Sequence, residues 1–316
     1  MSEYRQILKD EKLNEQLRER GYITVPFLNK EEVDSLIKTF YDNHKSDINH
    51  FYATAHVNDL DFRERMNQEI RKVYNRAISG YFINCRPLGG SYIVKPIGQQ
   101  GLLQPHQDWS IVEEDLYRSY NIWIPLVDLT ESNGTISVLP GSHNWVKAGC
   151  RHLTIPCVYG KVYDLVWENM TPLYLKAGEA LIYDHALVHA SGVNKTNELR
   201  LACAYGIIPE EAEMRYFWNN NGQVEKYASN PEYFMTQNIF TGPHGLTKLA
   251  DVDYDFHQIT EDEFYTLAGI EKPAEAIHTS SISENVNAGS QQAESFWEIY
   301  TPMNILREIK FRLSSK

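Results

Sequence analysis

Cysteine is scarce in this chain: Cys85, Cys150, Cys157 and Cys203 are widely spaced among 316 residues and form no Cys-x-x-Cys pair. That excludes a disulfide scaffold and reads as reduced, mostly buried thiols. No run approaches the ~20 consecutive apolar residues that a membrane-spanning helix requires. The opening, Met1 to Glu11, lacks the apolar stretch and cleavage site of a secretory signal. A cytoplasmic protein with no integral membrane segment is therefore expected. Basic side chains are outnumbered, 30 to 42, for a formal net charge of −12 with no basic run, which argues against nucleic acid as a partner. A strand–helix–strand unit with a Gly-x-Gly-x-x-Gly turn is missing too, so a dinucleotide fold has no support. No internal repeat is found. What is present, 42% hydrophobic and 23% charged positions, belongs to a globular protein with ample surface to bury.

The pattern predicts a mainly β fold with flanking helices. Residues 1–80 read as scaffold. Leu8, Leu13 and Leu17 suggest a first helix closed by Gly21, and Tyr22–Val25 a strand halted by Pro26. Asn29 and Glu32 form a capping box for a second helix, and a third is expected over about 61–79. From 81 to about 210 the chain turns to short β runs, clearest at 91–96, 120–127, 135–139, 180–184 and 199–208. Glu131-Ser-Asn-Gly134 reads as a hairpin-type link. Many short strands at this spacing suggest a jelly roll or barrel. Residues 211–274 are rich in aromatics (Tyr216, Phe217, Trp218, Tyr227, Tyr233, Phe234) that would cover the barrel or wall a substrate. A linker is expected at 275–293, and an amphipathic tail over 294–316 with Ile305, Leu306, Ile309 and Leu313 on one face. One oxygen-handling or binding domain over 1–274 is the simplest organisation, with a homodimer left open.

One constellation carries chemistry. His106-Gln-Asp108 follows one β run and His189 another. On a single strand, i and i+2 share a side, so His106 and Asp108 are expected to face the barrel interior together. A distant histidine then completes a set of two imidazoles and one carboxylate, which suits non-haem ferrous iron and leaves positions open. Arg200 lies in Leu199-Arg-Leu-Ala-Cys-Ala-Tyr-Gly-Ile-Ile, a run otherwise suited to a buried strand. A buried guanidinium needs an anion. Either a dicarboxylate cosubstrate, held bidentately, or a protein carboxylate would serve.

Taken with Asn121-Ile-Trp123-Ile-Pro-Leu-Val, Ser132-Asn-Gly134-Thr-Ile-Ser-Val-Leu-Pro-Gly-Ser-His143 and His189-Ala-Ser191-Gly-Val-Asn194, these residues resemble the phytanoyl-CoA dioxygenase family over roughly 15–210. The resemblance implies a double-stranded β-helix using Fe(II), 2-oxoglutarate and O2, with ascorbate as the customary reductant in vitro. It implies iron on His106, Asp108 and His189, and the far carboxylate of 2-oxoglutarate on Arg200, assisted by Ser191, with Trp123 beside it. Asp108 also argues against halogenation, since halogenating relatives carry a small residue there. His185 lacks the Ser-Gly-x-Asn context and reads as structural, as does His143. Trp109 and Lys95 are candidates for substrate contact, against core packing for the first and a solvated strand end for the second. The expected reaction is hydroxylation of an unactivated C–H bond in a small-molecule or CoA- or carrier-linked substrate, releasing succinate and CO2. Desaturation, epoxidation or cyclisation would use the same ligands. A cupin-like enzyme without 2-oxoglutarate would instead pair Arg200 with a protein carboxylate, and a non-catalytic jelly-roll binding module would not need the triad.

Overall fold

The computed structural model describes residues 5–44, 47–145 and 149–273. The expected linker at 275–293 and the tail carrying Ile305 to Leu313 lie outside the described residues.

Helix α1 (Glu11–Arg20) starts where the Asp10 carboxylate accepts the amides of Lys12 and Leu13, and ends at Gly21 in the left-handed conformation (φ 80°). Leu8 is not part of it: it precedes the cap and is buried through a β-bridge to Phe82. Helix α2 (Lys30–Asn43) has the Asn29–Glu32 capping box, and buries Val33, Leu36 and Phe40. Helix α3 (Leu60–Tyr81) follows. Strand β1 (Tyr22–Pro26) lies between the first two helices in sequence but forms the edge of a sheet, where Pro26 leaves no ladder bond unmade on a central strand.

The remaining core strands are β2 (Tyr52–Ala53), β3 (Cys85–Lys95), β4 (Leu103–His106), β5 (Tyr120–Pro125), β6 (Ile136–Val138), β7 (Thr171–Leu173), β8 (Glu179–Asp184), β9 (His189–Ser191) and β10 (Arg200–Pro209). They form a six-stranded sheet in the order β1-β8-β5-β10-β3-β2 and a four-stranded sheet in the order β4-β9-β6-β7. From β3 to β10 the chain passes repeatedly between the two sheets, every pairing antiparallel. This is a jelly roll in its double-stranded β-helix form, with β1 and β2 added to the larger sheet. Glu131–Gly134 is accordingly no hairpin turn. It carries the chain from β5 in one sheet to β6 in the other, and Asn133 Oδ1 closes its bend on the Thr130 amide.

The period of two decides what faces the interior. In the larger sheet Tyr92, Val94, Ile122, Ile124, Ile182, Leu201 and Cys203 meet Leu36, Phe40, Ile70 and Tyr74 of the helices. Trp123, Leu181, Tyr183 and Ala202 face the other way and pack with Ile136 and Val138 of the smaller sheet. Lys95 is in register with Arg200, so both continue the inward face. The β6–β7 connection is long and includes α4 (Tyr163–Glu168). After β10 come β11 (Arg215–Asn220), β12 (Gln223–Ala228), α5 (Pro231–Thr236), β13 (Lys248–Val252) and α6 (Glu261–Ala268), the three strands forming a separate sheet. Tyr216, Tyr227 and Tyr233 make the apolar centre of this elaboration, with Trp218 and Phe234 packed against it.

Gly21 couples α1 to the barrel. A Cβ there would lie 2.5 Å from His143 Nδ1 as well as adopting an unfavourable φ. Gly21→Ala is expected to lower unfolding free energy by about 1–3 kcal/mol, read as an earlier urea midpoint at unchanged slope.

Candidate metal centre

Strands β4 and β9 run antiparallel with His106 opposite His189. Leu103 opposes Ser191, so four residues of β4 span three of β9, and this irregularity aims His106 toward its partner. The ring centroids are 4.2 Å apart. His106 Nδ1 donates to the Gln104 carbonyl at 2.7 Å, and His189 Nδ1 to the Leu187 carbonyl at 3.0 Å. Each ring thus hands its proton to the carbonyl two residues back, leaving Nε2 as a lone pair. Asp108 is not on the strand, as the two-residue period had suggested. The chain leaves β4 at His106, and the Asp108 carboxylate comes in from the following loop. Even so, ligand atoms of His106, Asp108 and His189 all lie within 4.8 Å of one another.

Charge states match the geometry. Burial, reinforced by His189, holds the His106 imidazolium acid down at about 4. Burial alone would raise Asp108, but His189, His185 and His106 together with a Tyr183 hydrogen bond pull it to about 2. A neutral imidazole and an ionised carboxylate at neutral pH are the forms that bind a metal. The donor set fits a first-row divalent ion such as ferrous iron.

Two supports were not read from the sequence. Tyr183 donates its hydroxyl to Asp108 Oδ2 at 2.9 Å and accepts from Asn121 Nδ2 at 3.0 Å. Its inward position was implicit in β8, where it alternates with Ile182 and shares a face with Leu181. Arg151 donates Nε to the Asp108 carbonyl at 2.9 Å and grips Glu114 with both Nη atoms at 2.6 and 2.5 Å. No local pattern links residues so far apart in sequence. Tyr183→Phe is expected to weaken divalent metal binding by about tenfold, measured by competition with a chelating dye.

Behind the triad sit two buried basic side chains. Arg200 is 2% exposed and Lys95 fully buried. Arg200 donates one Nη to the Gly134 carbonyl, Nε has no partner, and its guanidinium carbon stands 5.3 Å from the Trp123 ring centroid. Gly134 (φ 71°) is required here, since a Cβ would run into the Gly192 carbonyl oxygen. Lys95 Nζ donates to the carbonyls of Gly101 and Ser191. It is therefore no solvated strand end. Burial first, then Arg200, lowers the Lys95 ammonium to about 6, and burial lowers Arg200 to about 9. Ser191 Oγ also lacks a partner. Among the described residues no carboxylate lies within ion-pair distance of Arg200 or Lys95.

His185 points elsewhere, to Ser119 Oγ at 2.8 Å, and His143 binds the Arg18 carbonyl. In front of His106 and Asp108 opens a cavity of about 720 Å3 walled in part by Trp109, His152, Phe240 and Tyr254. Lys95 is not in that wall. Nor are the aromatics singled out from the sequence in 210–234; Ile239, Phe240 and Tyr254 reach it instead.

Dioxygenase FUM3 of Gibberella moniliformis is 30% identical over 111 residues, covering 33% of this chain and 32% of that protein. Phytanoyl-CoA dioxygenase 1 of Oryza sativa subsp. japonica is 31% identical over 124 residues, covering 38% and 43% respectively. The match thus spans less than half the length of either relative. Among solved structures, EvdO2 from Micromonospora carbonacea var. aurantiaca aligns at 18% identity and TM-score 0.47, over 66% of this chain and 94% of that one. The sequence profile described as phytanoyl-CoA dioxygenase matches residues 17–202, well over half the chain. The chain belongs to the phytanoyl-CoA dioxygenase family.

Proposed function

We propose that this protein is an Fe(II)- and 2-oxoglutarate-dependent dioxygenase that hydroxylates an unactivated C–H bond of a small-molecule, acyl or aminoacyl substrate, with release of succinate and CO2. The observation that carries the reading is the juxtaposition of two oriented imidazoles and a carboxylate with a buried guanidinium, Arg200, that has no carboxylate partner among the described residues. Bound iron would supply oxygen activation, one oxygen atom going to the substrate carbon and the other into succinate.

The chain's own part is binding, orientation and exclusion of water. His106 and His189 present Nε2 because their Nδ1 protons are committed to carbonyls. Tyr183 occupies Asp108 Oδ2 and leaves Oδ1 for the metal. Arg200 and Ser191 receive the distal carboxylate of 2-oxoglutarate, with the Lys95 amine at the opposing strand position beside Arg200. Trp123 packs against the guanidinium. Trp109 stands at the substrate side, next to the ligand carboxylate. A dicarboxylate here would neutralise a site that is otherwise costly to bury. A cupin-like enzyme with Arg200 tied to a protein carboxylate finds no such pair among the described residues.

The test is conversion of 2-oxoglutarate to succinate by purified protein with ferrous iron, ascorbate and oxygen. Slow release without substrate and faster release with the right one is expected. No succinate from metal-loaded protein would refute the reading.

A further inference from the structure

The cavity in front of the triad specifies the class of molecule it takes, granted that the metal end is the reacting end. Among the described residues its wall holds two formally charged side chains. One is the carboxylate of Asp108. The other, Arg151, has its charge matched by a bidentate pair with Glu114 and its Nε committed to the Asp108 carbonyl, so it offers an incoming anion no unpaired charge. Among the described residues the wall contains no lysine, and Lys95 and Arg200 are buried outside it. Its histidines away from the metal, His56, His143 and His152, are all shifted down, by burial first, and add no cation at neutral pH. A phosphate or carboxylate seated here would lose its water without gaining an unpaired cation, and an ammonium group would find only the Asp108 carboxylate.

What the wall does offer is aromatic. Phe51, Trp109, Tyr159, Phe240 and Tyr254 surround the space. Phe240 meets Trp109 edge to face at 5.5 Å and His56 at 5.0 Å, forming a corner of rings near the loop after α5. Flat apolar groups gain most from such walls. The remaining hydrogen-bonding capacity is neutral. Gln104 Oε1 accepts from Tyr163, and Gln107 Nε2 donates to the Ala186 carbonyl. That leaves one amide NH2 and one amide oxygen on either side of His106.

We propose that the molecule seated in this cavity is uncharged and ring-bearing where it meets the wall, with its polar atoms read by the neutral amides of Gln104 and Gln107.

The test uses two probes of one ring system, neutral 2-aminoanthracene and anionic anthracene-2-sulfonate, followed by fluorescence with the full-length, metal-loaded protein. The amine is expected to bind at least about tenfold more tightly than the sulfonate. It should also outcompete 1-dodecanol, a neutral chain without rings. Phe240→Ala should weaken the amine about tenfold, while Tyr174→Ala, an exposed position outside the cavity, should not. Equal or tighter sulfonate binding, equal competition by dodecanol, or no amine binding would overturn the proposal. Amine binding without succinate release would leave it standing and remove the oxygenase reading. Succinate release without amine binding would do the reverse.

Discussion

Asp108→Ala protein is expected to lose ferrous iron and to release succinate at least about a thousandfold more slowly than the parent. Substitutions in the outer shell of metal sites typically cost 10–100-fold in affinity, and this one removes a ligand and the only negative charge in the set. Two imidazoles remain, still oriented by the Gln104 and Leu187 carbonyls. They hold a divalent ion weakly and leave its charge uncompensated. The Tyr183 hydroxyl loses its acceptor at the same time. Metal content by elemental analysis and succinate by mass spectrometry read the two effects separately. Iron retained at parental affinity would remove Asp108 from the centre.

Arg200→Ala is expected to fail differently. Truncating one partner of a buried, hydrogen-bonded charge pair costs about 2–5 kcal/mol, a rise of about 30- to 5000-fold in the half-saturating 2-oxoglutarate concentration. Metal affinity should stay at the parental value, because Arg200 touches none of the three ligands. Arg200→Lys should recover part of the loss, restoring charge without the bidentate fork. The variant also tests whether the arginine serves the fold. The cost of burying this guanidinium, seen in its unpartnered Nε and its lowering to about 9, offsets its Gly134 hydrogen bond and its contact with Trp123. The variant without cosubstrate is therefore expected to melt no lower than the parent, while the rise in melting temperature that 2-oxoglutarate gives the parent disappears. A large drop in stability would mark Arg200 as structural.

The contrast between these variants mirrors what could be read in the sequence. His106, His189 and Arg200 were legible because each sits in or against a β run, where period two fixes direction. Trp123 and Ser191 were named only through the family resemblance. Asp108 was found for an incomplete reason: its carboxylate enters from a loop beyond β4, and only the Arg151 contact to its carbonyl shows what steadies that loop. Such a contact spans 43 residues, and nothing in local composition announces it. Lys95 looked like a strand end because Pro96 follows it. Its burial depends on being opposite Arg200 across β3 and β10, which is a fact of register. The link at Glu131–Gly134 was misread for a related reason. Asn-Gly marks a bend, but only the pairing partners of β5 and β6 reveal that the bend changes sheets. The helices before the barrel were legible down to their caps at Asn29 and Gly21, since capping is local chemistry.

The central claim is that three side chains hold one metal ion immediately beside a cosubstrate held by Arg200. Anaerobic titration of ferrous iron into protein containing 2-oxoglutarate, followed by visible absorption, tests it most directly. One iron per chain is predicted, with a charge-transfer band that needs both components, vanishes in Asp108→Ala and returns in Arg200→Ala only at much higher 2-oxoglutarate. A band of parental strength in Asp108→Ala, or tight iron binding that 2-oxoglutarate leaves spectrally unchanged, would contradict it.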